Sequence, residues 1–203
     1  VRFEGALDAF GVRVRAAGED DADFMYYLRT LPSALGRIGD PPPDVEAQRR
    51  WIARITAHPD EWCFIIEEEG SGPVGTFSVT GLGGGVWEPG RWILAPGSLA
   101  APGSSLLAYS YAFERLGAEN LRMCVTADNL PVISYHRRLG ERETRIERKA
   151  RCIQGEWKDL VWFELPREEW PRVRDVLRQY AEAAERMRRQ LRSAASDSLG
   201  SGG

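Results

Sequence analysis

Apolar and polar positions along the chain alternate between two periods, that of strands and that of helices. Residues 1–10 carry no clear period and read as a lead-in; Val12-Arg13-Val14-Arg15 then alternates as a half-buried strand does. Glu19-Asp20-Asp21 supplies negative charge at a helix start, and Phe24, Tyr27, Leu28 and Leu31 follow at helical spacing as far as Pro32. A loop rich in breakers, 36–43, leads to a second helix from Val45 to Ala57, with Asp44 placed to cap it. The apolar run Trp62–Ile66 and the alternating Pro73–Val79 predict a hairpin about Gly70-Ser71-Gly72. Another strand spans Trp87–Leu94, and a largely buried helix runs from Leu106 to Gly117.

The second half alternates strand and helix: strand Leu121–Val125, a helix opened by Asp128 or Asn129 and closed by Gly140, then strands Glu143–Ile153 and Leu160–Leu165 about a turn at Gly155. Apolar residues recur at helical period from Trp170 to Leu191, with eight basic against five acidic residues over 167–192. Such a stripe docks on its own domain or on a partner, a second copy of the chain included. Residues 193–203 are low in complexity and read as disordered. The order β-α-α-β-β-β-α-β-α-β-β-α predicts an α/β (α+β) domain over residues 1–170, a mixed sheet with helices on both faces, followed by a C-terminal helix over 171–192.

Length and composition fit one soluble domain of 203 residues: 43% hydrophobic, 28% charged, formal charge −3. The near-balance of charge excludes a dedicated nucleic-acid binder, and no apolar run is long enough for a membrane span. Cys63, Cys124 and Cys152 each lie in an apolar run and form neither a disulfide framework nor a zinc site. With two histidines in the chain, no metal is expected. A cytoplasmic chain is the expectation.

Two segments carry candidate chemistry. The small-residue loop 95–105 opens a helix, and a helix start with unobstructed N–H groups is an anion site suited to a diphosphate; a plain connector is the other reading. The segment Asn129–Gly140 places adjacent Tyr135 and His136 on a helix, and His136 can exchange a proton near neutral pH. Successive side chains diverge by about 100°, so only one of the two can face a given site well.

Asn129…His136…Gly140, with Gly90–Pro96 before the small-residue loop, resembles the GNAT N-acetyltransferase superfamily over roughly 12–170. The closing Trp157–Leu165 and Glu169-Trp170 are similar to branches acting on nucleotide-activated amino sugars or ribosomal-protein N-termini. The resemblance implies a sheet that is mostly antiparallel in its N-terminal half, a splayed central strand pair, and acetyl-CoA as co-substrate. It implies that Trp92, Ile93 and Leu94 pair with the pantetheine arm, that Leu99, Ala101, Gly103 and Ser104 offer N–H groups to the diphosphate, and that Asn129 holds the arm from the other side. Glu88 would deprotonate the amine, and His136, in preference to Tyr135, would protonate the departing thiolate. Tyr26, Trp87 and Trp157 would line an acceptor pocket. The loop Ser98–Gly103 departs from the family pattern: it lacks a basic residue, and Pro102 removes one N–H. The implied function is N-acylation of a primary amine on a small molecule, an amino sugar first. The alternatives are acylation of a peptide N-terminus and a non-catalytic module that has lost the coenzyme.

Overall fold

The computed structural model describes residues 5–200, with side chains through residue 194. Strands β1 (Ala6–Ala9), β2 (Val12–Ala16), β3 (Glu61–Glu68), β4 (Gly72–Gly83), β5 (Val86–Leu94), β6 (Asn120–Thr126), β7 (Arg142–Ile153) and β8 (Glu156–Pro166) form one sheet in the order β1-β2-β3-β4-β5-β6-β8-β7. Helices α1 (Ala22–Thr30), α2 (Val45–Thr56), α3 (Ala101–Ser110), α4 (Leu130–Leu139) and α5 (Trp170–Gly200) flank it. All neighbouring strands are antiparallel except β5 and β6, so the mixed, centrally divided sheet expected from the sequence is present.

Both faces of the sheet are covered, which is why β3 reads as an unbroken apolar run. Cys63 and Ile65 pack with Met25, Ile52 and Ile55 of α1 and α2. Phe64 and Ile66 point the other way, into the larger core built on α3, α4 and α5 with Phe77, Phe113 and Phe163. Asp44 caps α2 as expected, its carboxylate accepting from the Ala47 N–H at 2.6 Å.

Four departures from the sequence reading stand out. The lead-in contains β1, joined to β2 by a two-residue turn in which Phe10 (φ 53°) and Gly11 (φ 66°) are both left-handed, the geometry a tight hairpin demands. Helix α3 starts at Ala101, with Pro102 in its first turn where no N–H bond is lost. Cys63 is buried, but Cys124 is only partly covered and Cys152 is exposed on β7. Helix α5 continues to Gly200, through most of the segment expected to be disordered; residues 201–203 lie outside the described residues. Its stripe packs on the domain itself, with Trp170, Val173, Leu177 and Ala181 almost fully buried, while Met187 and Leu191 further along are exposed. Among the described residues, no helix is long and apolar enough to cross a membrane.

Candidate active site

The site is built where the sheet divides. Strands β5 and β6 pair only at Val86–Asn120 and Trp87–Leu121; beyond Trp87 the edge of β5 facing β6 has no strand partner. A bulge lies on the same stretch: Arg91 and Trp92 together oppose Phe77, and Arg91 takes a left-handed φ of 51°. Bulges bend a strand and re-aim its groups, so residues 88–94 present free backbone polar groups to the opening. Trp92 stacks on Phe77 (centroids 4.6 Å, 16° between planes), Ile93 is buried against Leu28 and Ala34, and Leu94 leans over Gly75. A side chain on Gly75 would meet the Ile93 carbonyl at 2.6 Å, so that glycine fixes how closely β4 carries the end of β5.

Glu88 stands opposite Thr80, and its Oε1 reaches back to within 3.5 Å of where a Cβ on Gly90 would sit. It forms no hydrogen bond or ion pair among the described residues, and burial raises its pKa above the ordinary glutamate value, against the pull of Arg151, Arg91 and Arg122. A carboxylate so placed is a proton acceptor of raised basicity.

On the far side of the opening, Tyr135 and His136 diverge as their spacing requires. The Tyr135 hydroxyl reaches α3 and donates to Ser105 Oγ (3.1 Å); burial drives its pKa well up, so it keeps its proton. His136 turns to the sheet, stacking on Phe163 of β8 (4.8 Å, 20°), with Nδ1 held 2.5 Å from Glu141 Oε2. The Glu141 side chain is wholly buried. Sequence reasoning passed over Glu141, although a carboxylate directly after the Gly140 cap is a visible partner for a histidine one turn earlier. The Asn129 side chain carries no hydrogen bond among the described residues; its main chain ties Thr126 to α4.

The start of α3 is differently furnished from the expectation. The Leu99 N–H donates to Glu68 Oε1 (2.8 Å), as does Ser98 Oγ (2.9 Å), and the Ala100 N–H goes to Ser98 Oγ (3.1 Å). The Ser104 N–H is consumed within the helix by the Ala100 carbonyl. Gly103 is pressed on the β1–β2 hairpin, where a Cβ would lie 2.8 Å from Val12 Cγ2. Arg188 of α5 closes the arrangement: it donates to the carbonyls of Leu99 and Phe10 and lies 3.7 Å from Glu68, with its side chain 7% exposed. Of the four predicted diphosphate donors, Leu99 and Ser104 are therefore taken, and Ala101 and Gly103 keep free N–H groups among the described residues. The basic residue missing from the loop sequence is present in space as Arg188, 89 positions from Leu99. The open main-chain edge of the β5 half thus fits an extended acyl-coenzyme arm, whereas in the α3 half the Glu68 carboxylate already takes the Leu99 N–H and Ser98 Oγ donors.

A cavity of about 480 Å³ opens on the α1–α2 face, bounded by Met25, Trp51, Cys63 and Arg91 among others. Tyr26, Trp87 and Trp157 do not line it: Trp87 packs on Trp62 (5.2 Å) and Trp157 is 63% exposed. Burial pushes the Cys63 thiol up to about 11, which leaves it a poor nucleophile.

Similarity to known proteins agrees with this architecture. The solved structure of FdhC, a nucleotide-linked sugar GNAT, is 25% identical, with a TM-score of 0.71 over 90% of this chain and 98% of that one. A GCN5-related N-acetyltransferase from Brucella melitensis is 21% identical (TM-score 0.74; 87% and 85% covered). Spermidine N-acetyltransferase from Vibrio cholerae, solved with CoA and spermine, is 16% identical (TM-score 0.72; 80% and 99% covered). Among curated proteins, no sequence match is found. The model of the acetyltransferase (GNAT) domain matches residues 12–142, nearly two thirds of the sequence, and the chain belongs to that family.

Proposed function

We propose that the protein transfers an acetyl or other short acyl group from coenzyme A to the primary amine of a small molecule, with an amino sugar, free or nucleotide-linked, as the first acceptor class. The observation that carries this reading is the divided β5–β6 pair, with a bulged free edge and an unpaired Glu88 beside it. The coenzyme, when bound, supplies an activated acyl thioester.

The β5 edge from Trp92 to Leu94 holds an extended arm by main-chain bonds, as strand addition does. N–H groups beyond the bulge polarise a carbonyl lying along that edge. Glu88, on the α1–α2 face, takes the proton of the amine. On the opposite side Tyr135 is the proton source, because it stays protonated and lies on the flank of α4 that faces α3. Asn129 braces the arm from the β6 side. His136 positions α4 through Glu141 rather than delivering the proton itself. The similarity to the sugar-acting FdhC supports the choice of acceptor.

Mass spectrometry of reactions with acetyl-CoA and a panel of amino sugars, nucleotide-linked amino sugars, polyamines and short peptides tests the proposal. A mass gain on amino sugars supports it. A gain confined to peptides or polyamines, or no gain on any amine, overturns it.

A further inference from the structure

The cavity on the α1–α2 face is walled by cations. Arg29 of α1, Arg54 of α2 and Arg91 of β5 all line it, with Asp40 the single carboxylate among the lining residues. That carboxylate is already engaged, accepting from the Gln154 N–H at 2.7 Å. Among the described residues, Arg29, Arg54 and Arg91 form no ion pair with a carboxylate. Arg29 spends its donors on the main-chain carbonyls of Ile38, Gly39 and Asp40, so it holds the α1–α2 connection in place, with the Asp40 charge offsetting part of its own. Arg91 gives one N–H to Ser78 Oγ (3.2 Å) and lies over the Trp51 ring (5.5 Å), leaving further donors open to the cavity.

Gln48 is a second, independent pointer. It is 4% exposed, lines the same cavity, and its side chain has no hydrogen-bond partner among the described residues. Its amide atoms are not sealed off but reach the cavity, where a ligand's polar group can take the place of water. The two guanidiniums also oppose each other: burial and the charge of Arg91 lower the pKa of Arg29 against the pull of Asp40. An anion between them removes that repulsion and satisfies the amide.

The bulge sets where such an anion would lie relative to the amine. In a regular strand residues 88 and 91 would face opposite sides. The extra residue at the bulge returns Arg91 to the face of Ser78 and Thr80, on which Glu88 also stands. The proton acceptor and the cationic wall therefore share one side of the sheet, three residues apart.

Resting on the acyltransferase reading, we infer that the acceptor amine carries an oxyanion, a carboxylate or a phosphate, bound at Arg91, Arg54 and Gln48 under the field of Arg29, while its amino group meets Glu88. Guanidinium groups match both oxyanions in charge and fork geometry. A polycationic amine is repelled by the same wall.

The test compares three acceptors with acetyl-CoA: glucosamine, glucosamine 6-phosphate and a 2-amino-2-deoxyuronic acid. The expected result is a kcat/KM at least tenfold higher for one or both anionic amines than for glucosamine, with the larger value naming the oxyanion. In Arg91→Gln, and separately in Arg54→Gln, that ratio falls by at least tenfold. Equal use of the neutral and anionic amines, or a ratio unmoved in both variants, overturns the inference. Calorimetric titration of the coenzyme-free protein with glucosamine 6-phosphate and with the uronic acid reads the pocket apart from catalysis. Binding that weakens in Arg91→Gln without any acyl transfer keeps the anion site and removes the acyltransferase reading. Absence of heat with both ligands removes the anion site.

Discussion

Replacing His136 by alanine separates a catalytic histidine from a structural one. Its ring is 10% exposed, and its Nδ1 is hydrogen-bonded to a Glu141 side chain that is wholly buried. Removing a hydrogen-bond partner of a buried carboxylate costs about 1–3 kcal/mol, with the Tyr109 hydroxyl remaining close to Glu141. Loss of the stacking on Phe163 adds about 0.5–1.5 kcal/mol. For a domain near 200 residues, each kcal/mol moves Tm by about 2–4 °C, so His136→Ala should melt about 3–18 °C below the parent. Removing that carboxylate as well, in His136→Ala/Glu141→Leu, should recover at least half of the loss, since an apolar replacement leaves no buried charge behind. Calorimetric melting of the parent, the single variants and the double variant provides the cycle, with turnover measured well below the lowest Tm. A His136→Ala protein that melts within about 2 °C of the parent while losing turnover would refute the reasoning and make His136 the acid.

Other expectations follow from the same geometry. Tyr135→Phe should lower kcat by roughly 10²–10⁴ while KM for the amine stays close to that of the parent, as steady-state kinetics would show. Glu88→Gln should lower kcat/KM by a similar factor, and the acid limb of the pH profile should disappear with it. In the parent, activity falls as pH drops through the titration of Glu88, and burial places that limb above the usual value of about 4.3. Gly75→Ala drives a methyl into Leu94 and the Ile93 carbonyl and should cost about 1–3 kcal/mol of stability in denaturant unfolding.

The outline of the fold was legible because its elements obey local rules: the Asp44 cap, the alternation in β2, the Gly140 terminator and the helical stripe of α5. Strand β1 was hidden because its turn places Phe10, a residue that seldom signals a left-handed conformation, where asparagine or glycine would announce a hairpin. The extent of α5 was obscured by a low-complexity composition that says little about what a helix can continue through. Glu88 could be singled out only through the family resemblance, and its isolation from partners is a fact of three dimensions. The pairings His136–Glu141 and Glu68–Arg188 illustrate the harder class. The first is close in sequence yet needs the burial of both groups to matter; the second joins residues 120 positions apart and leaves no local trace. The cavity on the α1–α2 face belongs to the same class, since Arg29, Arg54 and Arg91 lie on three separate elements.

Glu68 gives the coenzyme half of the site its own test. Its carboxylate accepts from Leu99 N–H and Ser98 Oγ and faces Arg188, which is the set of partners a phosphate oxygen would seek at a helix start. An internal anion there competes with an external one, and α5 supplies the cation that holds it. Glu68→Ala frees the two donors and leaves the buried Arg188 charge without its carboxylate, held only by the Leu99 and Phe10 carbonyls. Without ligand the variant should therefore be less stable, by about 3–5 kcal/mol. With coenzyme A added, it should regain more Tm than the parent does at the same concentration, because ligand stabilisation grows with occupancy and no carboxylate must be displaced first. Paired thermal melts with and without coenzyme A measure both quantities. Equal stabilisation of parent and variant by the coenzyme would show that Glu68 does not stand in the diphosphate's place, and the loop at 98–104 would then be a connector held shut for structural reasons alone.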